Sequence, residues 1–180
     1  MDLIKCIKER RSIRKFEDKK VPHELLEEIA DVAAFAPSWK NTQIVRYLVL
    51  EDKEKMAKLA TDCVLGFKYN TKTMTYAPAL ILVTGVSGRS GYEKDGQPTT
   101  PKGNGWEMFD AGVATQTFCL TAHEKGLGTV IMGIFDEDKV KEVIEIPEGQ
   151  QLEAIIAIGY PAVTPDVPPR KKGTDLVSYL

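Results

Sequence analysis

Arg10-Arg11-Ser12-Ile13-Arg14-Lys15-Phe16 packs four cations and a hydroxyl into seven residues near the N-terminus. A guanidinium presents a planar fork of donors that matches phosphate oxygens two at a time, and a serine hydroxyl completes such a shell where a longer side chain would crowd it. The stretch reads as an anion clamp with a phosphate as its natural guest. A plainer reading stands beside it: Lys8, Arg10 and Arg11 close the first helix, where cations offset the negative end of its dipole, and Arg14 and Lys15 are solvated. Short motifs give many false matches, so the rest of the chain has to decide.

Around the clamp, residues 2–10 place Leu3, Ile4 and Ile7 on one helical face and Lys5, Lys8 and Glu9 on the other, so a short amphipathic helix delivers the cations. Pro22 suits the first position of a second helix, with Leu25, Leu26, Ile29, Val32 and Ala33 at helical spacing and a stop at Pro37. The loop from Pro37 to Gln43 has two readings. It is a plain helix-to-strand connection, or Ser38 and Asn41 offer hydrogen bonds to the edge of a planar ring system while Trp39 supplies a stacking face. A strand follows over Ile44 to Leu50, then a helix over Asp52 to Gly66 whose Met56, Leu59, Ala60, Cys63 and Val64 are core.

Ala79 to Val86 reads as a strand buried on both faces. Residues 87–105, with five glycines and two prolines, read as a long loop and a mobile lid near a substrate. Trp106 to Lys125 is the longest helical pattern, with Phe109, Val113, Gln116 and Leu120 as one stripe of a core helix, Gly126 as its cap and His123 as a surface residue favoured by the dipole. In the strand Val130 to Ile134, Gly133 serves packing or marks a close backbone approach to a ligand. A short helix over Asp136 to Ile144 and a strand over Leu152 to Tyr160 complete the regular structure. Four prolines then keep the tail extended as it delivers Arg170, Lys171 and Lys172. That second basic group either shares one anion with the first or is simply solvated.

Composition narrows the possibilities. A chain of 180 residues, 43% hydrophobic and 28% charged, has material for one domain with a real core. A net charge of -2 and a pI near 5.8 oppose nucleic-acid binding, so the clamp is local. No apolar run approaches the ~20 residues that span a bilayer, and the first residues lack a secretory signal, so a cytoplasmic protein is expected. Cys6, Cys63 and Cys119 and the two histidines suggest neither a disulfide framework nor a metal site. There is no Ser/His/Asp order, Walker loop or Gly-x-Gly-x-x-Gly after a strand. A chain without an organised nucleophile or base suits a protein that lets a cofactor perform the hard step.

Four stretches in order resemble the FMN-dependent nitroreductase family: Arg10 to Phe16; Ala36-Pro37-Ser38 with Asn41 and Gln43; Gly126-Leu127-Gly128-Thr129 leading to Met132-Gly133; and Gly159-Tyr160-Pro161 leading to Pro169-Arg170-Lys171. The resemblance implies an α+β, three-layer α/β/α fold with a central mixed sheet, one FMN-binding domain over residues 1–180, and a homodimer with FMN at its interface. It implies ping-pong chemistry in which NADH or NADPH reduces the flavin and a nitroaromatic, quinone or related small acceptor reoxidises it, with no side chain as catalyst and no metal. Its cofactor-binding set would be Arg10, Arg11, Ser12 and Arg14; Pro37, Ser38, Trp39 and Asn41; Asn70; Ile131, Met132 and Gly133; and Arg170 and Lys171. Neither nucleic acid nor a membrane is an expected partner. Trp39, where the family commonly has a small residue, and Ile44-Val45 after Gln43, where Pro-Trp is frequent, leave open reductive dehalogenation, enone reduction, flavin breakdown, or flavin binding for storage without catalysis.

Overall fold

The computed structural model describes residues 2–180. In chain order the helices are α1 (Leu3–Glu9), α2 (His23–Ala33), α3 (Lys53–Lys58), α4 (Lys68–Tyr76), α5 (Gly105–Glu124) and α6 (Glu137–Val143). The strands are β1 (Val45–Leu50), β2 (Ala79–Val86), β3 (Gly128–Met132) and β4 (Gln150–Gly159). They form one sheet in the order β1-β2-β4-β3, with each neighbouring pair antiparallel.

The alternation of side chains along β2 and β4 builds the layers. Leu80, Leu82, Ile155 and Ala157 point to one face, where they pack with Met56, Leu59, Met74 and Val140 beneath α3, α4 and α6. Ala79, Ile81, Val83, Ile156 and Ile158 point to the other, against Leu26, Ile29 and Ala33 of α2 and Phe118, Cys119 and Ala122 of α5. Helices therefore cover both faces, which is the expected three-layer arrangement. The expected mixed character of the sheet is confined to one parallel bridge, Ser12 to Thr129, outside the four strands.

Several local expectations need correction. The helix expected over Asp52 to Gly66 is α for only its first part; Leu59–Cys63 is a π turn, and positive φ at Leu65 and Gly66 ends it. On α5 the stripe of Phe109, Val113, Gln116 and Leu120 is not the core face: Phe109 is 60% exposed, whereas Ala111, Ala114, Thr115, Phe118 and Cys119 are buried. Apolar residues lie all around this helix, so periodicity could not tell its inner face from its outer one. His123 is not a freely solvated surface residue, because its Nε2 is buried. Residues 87–105 are not a bare loop, since Thr99 N–H donates to Gly91 O (2.8 Å), Glu93 N–H to Gln97 O (2.9 Å), and Tyr92 bridges Pro98.

Candidate cofactor site

The clamp is built by α1 and the edge of β3. Asp2 caps α1 by accepting the Lys5 N–H, and the chain leaves the helix at Arg10, whose N–H donates to Cys6 O at 3.0 Å. Ile13, only 4% exposed, donates its N–H to Thr129 O at 2.9 Å and pins the segment beside β3. Glycine at 128 permits this approach: a Cβ there would lie 2.5 Å from Ile13 Cγ1. Arg11 Nη1 is engaged by Lys8 O and Arg10 O, while Arg14 is exposed with a single long bond to Ser12 O (3.4 Å). Arg10 Nε is buried and has no partner. A guanidinium donor held in this way has hydrogen-bonding capacity left for an anion.

Behind the clamp, a cavity of about 240 Å³ lies between Arg11, Ile13, His123, Gly128 and Pro161. Burial chiefly, with some help from the Arg10 and Arg11 charges, holds the His123 imidazole below its ordinary value, against an opposing pull from Glu9 and Glu124. Burial likewise pushes the Cys119 thiol up, so it is no ready nucleophile.

Farther along β3, Ile131 is 47% exposed and Met132 is buried; the strand ends there and does not run on to Ile134 as expected, so Gly133 lies just past it, where an added Cβ would meet nothing within 4 Å. Gly133 therefore leaves open space over the backbone; it does not serve close packing. Asn70 of α4 is 7% exposed and donates through Nδ2 to Ile134 O at 3.2 Å, so α4 sets a carboxamide beside the same end of β3. Ser12 and Gly133 thus lie along one sheet edge, with four residues from Thr129 to Gly133, or ~13 Å at strand rise.

The loop after α2 sits elsewhere. Trp39 N–H donates to Asp110 Oδ2 at 2.9 Å near the start of α5, and Ser38 Oγ accepts the Gln43 N–H at 3.0 Å. Pro37 and Asn41 are exposed, and Asn41 Oδ1 accepts from Gln43 Nε2 at 3.2 Å. Lys40, Asn41 and Gln43 all have positive φ, a strained backbone for residues with side chains. Pro37, Ser38, Asp110, Ala114 and Tyr47 line a groove of about 340 Å³. The clamp, in contrast, packs at the far end of α5, where Cys6 Sγ contacts Leu120 O. Asp110 and Leu120 are ten residues apart, ~15 Å along the helix. One chain therefore presents the clamp toward the C-terminal end of α5 and residues 37–41 at its N-terminal end.

The tail meets the clamp stretch at its start, where Ala162 N–H donates to Lys15 O at 3.1 Å, but its cations do not reach the clamp within the chain. Residues 162–180 are exposed, and Arg170 Nη1 donates only to its neighbours Pro168 O (3.3 Å) and Pro169 O (3.1 Å). Lys171 is exposed beside it.

Sequence reading missed the buried acids that fix the polar loops. Asp110, 3% exposed, also accepts from Ser90 Oγ at 2.7 Å, and Glu107 Oε1 accepts the Gly88 N–H at 2.6 Å. Their only signal was two carboxylates three residues apart in the first turns of a helix with no other charge before its last residue. Glu153 is half-buried, and burial first, then the nearby Glu107 and Glu137, pushes its carboxyl up.

Residues 7–160 match the sequence profile described as the nitroreductase family. The chain belongs to the nitroreductase family. Among its relatives, a protein of Methanothermobacter thermautotrophicus named NADH dehydrogenase/NAD(P)H nitroreductase is 32% identical, over 92% of this chain and 80% of that protein. A protein of Thermotoga neapolitana named iodotyrosine deiodinase is 27% identical, over 86% of each. The solved structure of an FMN-dependent nitroreductase from Clostridium difficile superposes with a TM-score of 0.73 at 28% identity, covering 96% of this chain and 93% of that one. The nitroreductase fold thus accounts for the antiparallel sheet with helices on both faces. Among the described residues, no helix is long and apolar enough to cross a membrane, and no group of acids, cysteines and histidines could hold a metal ion.

Proposed function

We propose that this chain is one FMN-binding unit of a homodimeric NAD(P)H oxidoreductase that works in the cytoplasm and reduces nitroaromatics, quinones or related small acceptors. The observation that carries it is the sheet edge from Ser12 to Gly133, with a buried, unpartnered Arg10 Nε at one end and open space over Gly133 with the Asn70 amide at the other. This donor set suits FMN, whose phosphate needs cations and whose ring edge needs hydrogen bonds. When bound, FMN supplies two-electron transfer, accepting a hydride from NADH or NADPH and passing electrons on after the donor leaves. Arg10, Arg11, Ser12 and Arg14 would hold the phosphate and ribityl end, and Asn70 with the backbone at Ile131, Met132 and Gly133 would orient the ring. No side chain need catalyse, and solvent can supply protons.

Two features support the homodimer. The outer face of α5 exposes Met108 (65%), an apolar side chain that water penalises. The clamp and the 37–41 loop lie toward opposite ends of that helix. Two copies packed through α5 in opposite directions would bring Pro37, Ser38, Trp39 and Asn41 of one to the clamp of the other, and a tail crossing over would add Arg170 and Lys171.

Spectra of the purified protein with FMN, taken before and after anaerobic NADH and then NADPH, test this reading. Bleaching by either donor and recovery with a quinone are expected. A protein that binds FMN but does not bleach is a flavin store, and one that takes up no FMN ends the proposal. Reductive dehalogenation is the second reading, favoured by the deiodinase-named relative and by Trp39 in place of the family's common small residue.

A further inference from the structure

We propose that the rings of Trp39, Trp106 and Phe109, with the Lys102 ammonium, form the wall against which the electron acceptor binds, and that they select a planar aromatic ring bearing a carboxylate. This rests on the flavin oxidoreductase reading and names the acceptor class for that site. The three rings form a ladder: Trp39 and Trp106 have centroids 4.9 Å apart, and Phe109 stands edge-on to Trp106 at 5.7 Å. Phe109 ends the ladder 60% exposed, so part of the wall is open.

The ladder is held from several directions. Trp106 Nε1 donates to Thr100 Oγ1 at 2.8 Å, and the indole lies so close to Gly91 that a Cβ there would sit 2.8 Å from Trp106 Cδ1. The backbone of Trp39 hangs on Asp110. Rings fixed in this way bind flat π-systems by offset or edge contacts without losing much freedom. The backbone strain at Lys40, Asn41 and Gln43 is concentrated next to the wall, as strain is at ligand sites.

Charge sets the second preference. Lys40 lies 5.8 Å over the Trp39 ring, but Glu93 neutralises it at 3.0 Å. Lys102 lies 5.2 Å over the Trp106 ring and makes no ion pair among the described residues. An acceptor stacked on the ladder would therefore meet one uncompensated cation at its edge.

The test uses the FMN-loaded protein, its flavin reduced anaerobically with stoichiometric dithionite and then reoxidised in a single turnover by 4-nitrobenzoate or by neutral 4-nitrobenzamide. Each nitro group takes two electrons from the reduced flavin and two protons from solvent, giving a nitroso group and water. At low ionic strength the wild type should favour the benzoate by about fivefold, the scale of one exposed ion pair. Lys102→Gln should bring that ratio to about one. Phe109→Ser should slow both acceptors by about fivefold and keep the ratio. A wild-type ratio of one, a ratio that survives in Lys102→Gln, or unchanged rates in Phe109→Ser would overturn the wall, as would a Phe109→Ser protein that sediments as a monomer. Failure of FMN uptake overturns the parent reading as well, whereas bleaching by NADH or NADPH without these ratios overturns the wall alone.

Discussion

Ile13 occupies the space that a side chain at position 128 would need, with its Cγ1 2.5 Å from the place of a Cβ on Gly128. The anion clamp is thus seated on the sheet by a missing methyl group. Gly128→Ala should push Ile13 and the Ser12 bridge off β3, lowering stability by about 1–3 kcal/mol as overpacking does. It should weaken FMN binding as well. Urea unfolding and FMN titration of the variant check both effects, and wild-type values in each would show that the edge can shift freely.

Arg14 is exposed and scarcely bonded, so its loss should not affect folding. Arg14→Ala should weaken FMN binding by about 1.5–3 kcal/mol, the range for hydrogen bonds to charged groups. Calorimetric titration of the apoprotein measures this, and an unchanged affinity would remove Arg14 from the clamp.

Asp110 accepts from Trp39 N–H and Ser90 Oγ in a buried setting, so Asp110→Ala strands both donors. A loss of about 1–3 kcal/mol per unsatisfied group is expected, with Asp110→Asn milder because its carbonyl oxygen still accepts. Faster amide exchange at Trp39 in Asp110→Ala would be the local signature. Exchange as slow as in the wild type would mean that other contacts hold this loop.

Sequence legibility followed the physics of each segment. β2 spans Ala79–Val86 as expected, because a run buried on both faces has no polar alternation to confuse it. The ends of α5 were nearly right, but its inner face was not, since the apolar Phe109 and Met108 face outward. The Asp110 to Ser90 bond spans twenty residues, and nothing local announces a contact of that kind. Arg170 and Lys171 were read from their resemblance to a family tail; within one chain they hold nothing.

His123 gives a pH dependence with a definite sign. Its folded value is depressed below the ordinary 6.5, so the unfolded chain takes up a proton first as pH falls. Its contribution is complete above about 6.5 and is lost between that value and its lower folded value. His123→Gln should remove that part of the acid sensitivity. Unfolding free energies of both proteins at pH 7.5 and 5.5 test it, and equal losses in the two would contradict it.

The central claim is that one flavin is held by the clamp of one copy and the 37–41 loop of another. Sedimentation velocity of the FMN-loaded protein, detected at the flavin's visible band through a dilution series, tests it most directly. All bound flavin should move as a dimer, and dilution should release flavin as monomer appears. Flavin moving with a 20.0 kDa monomer would contradict the shared site.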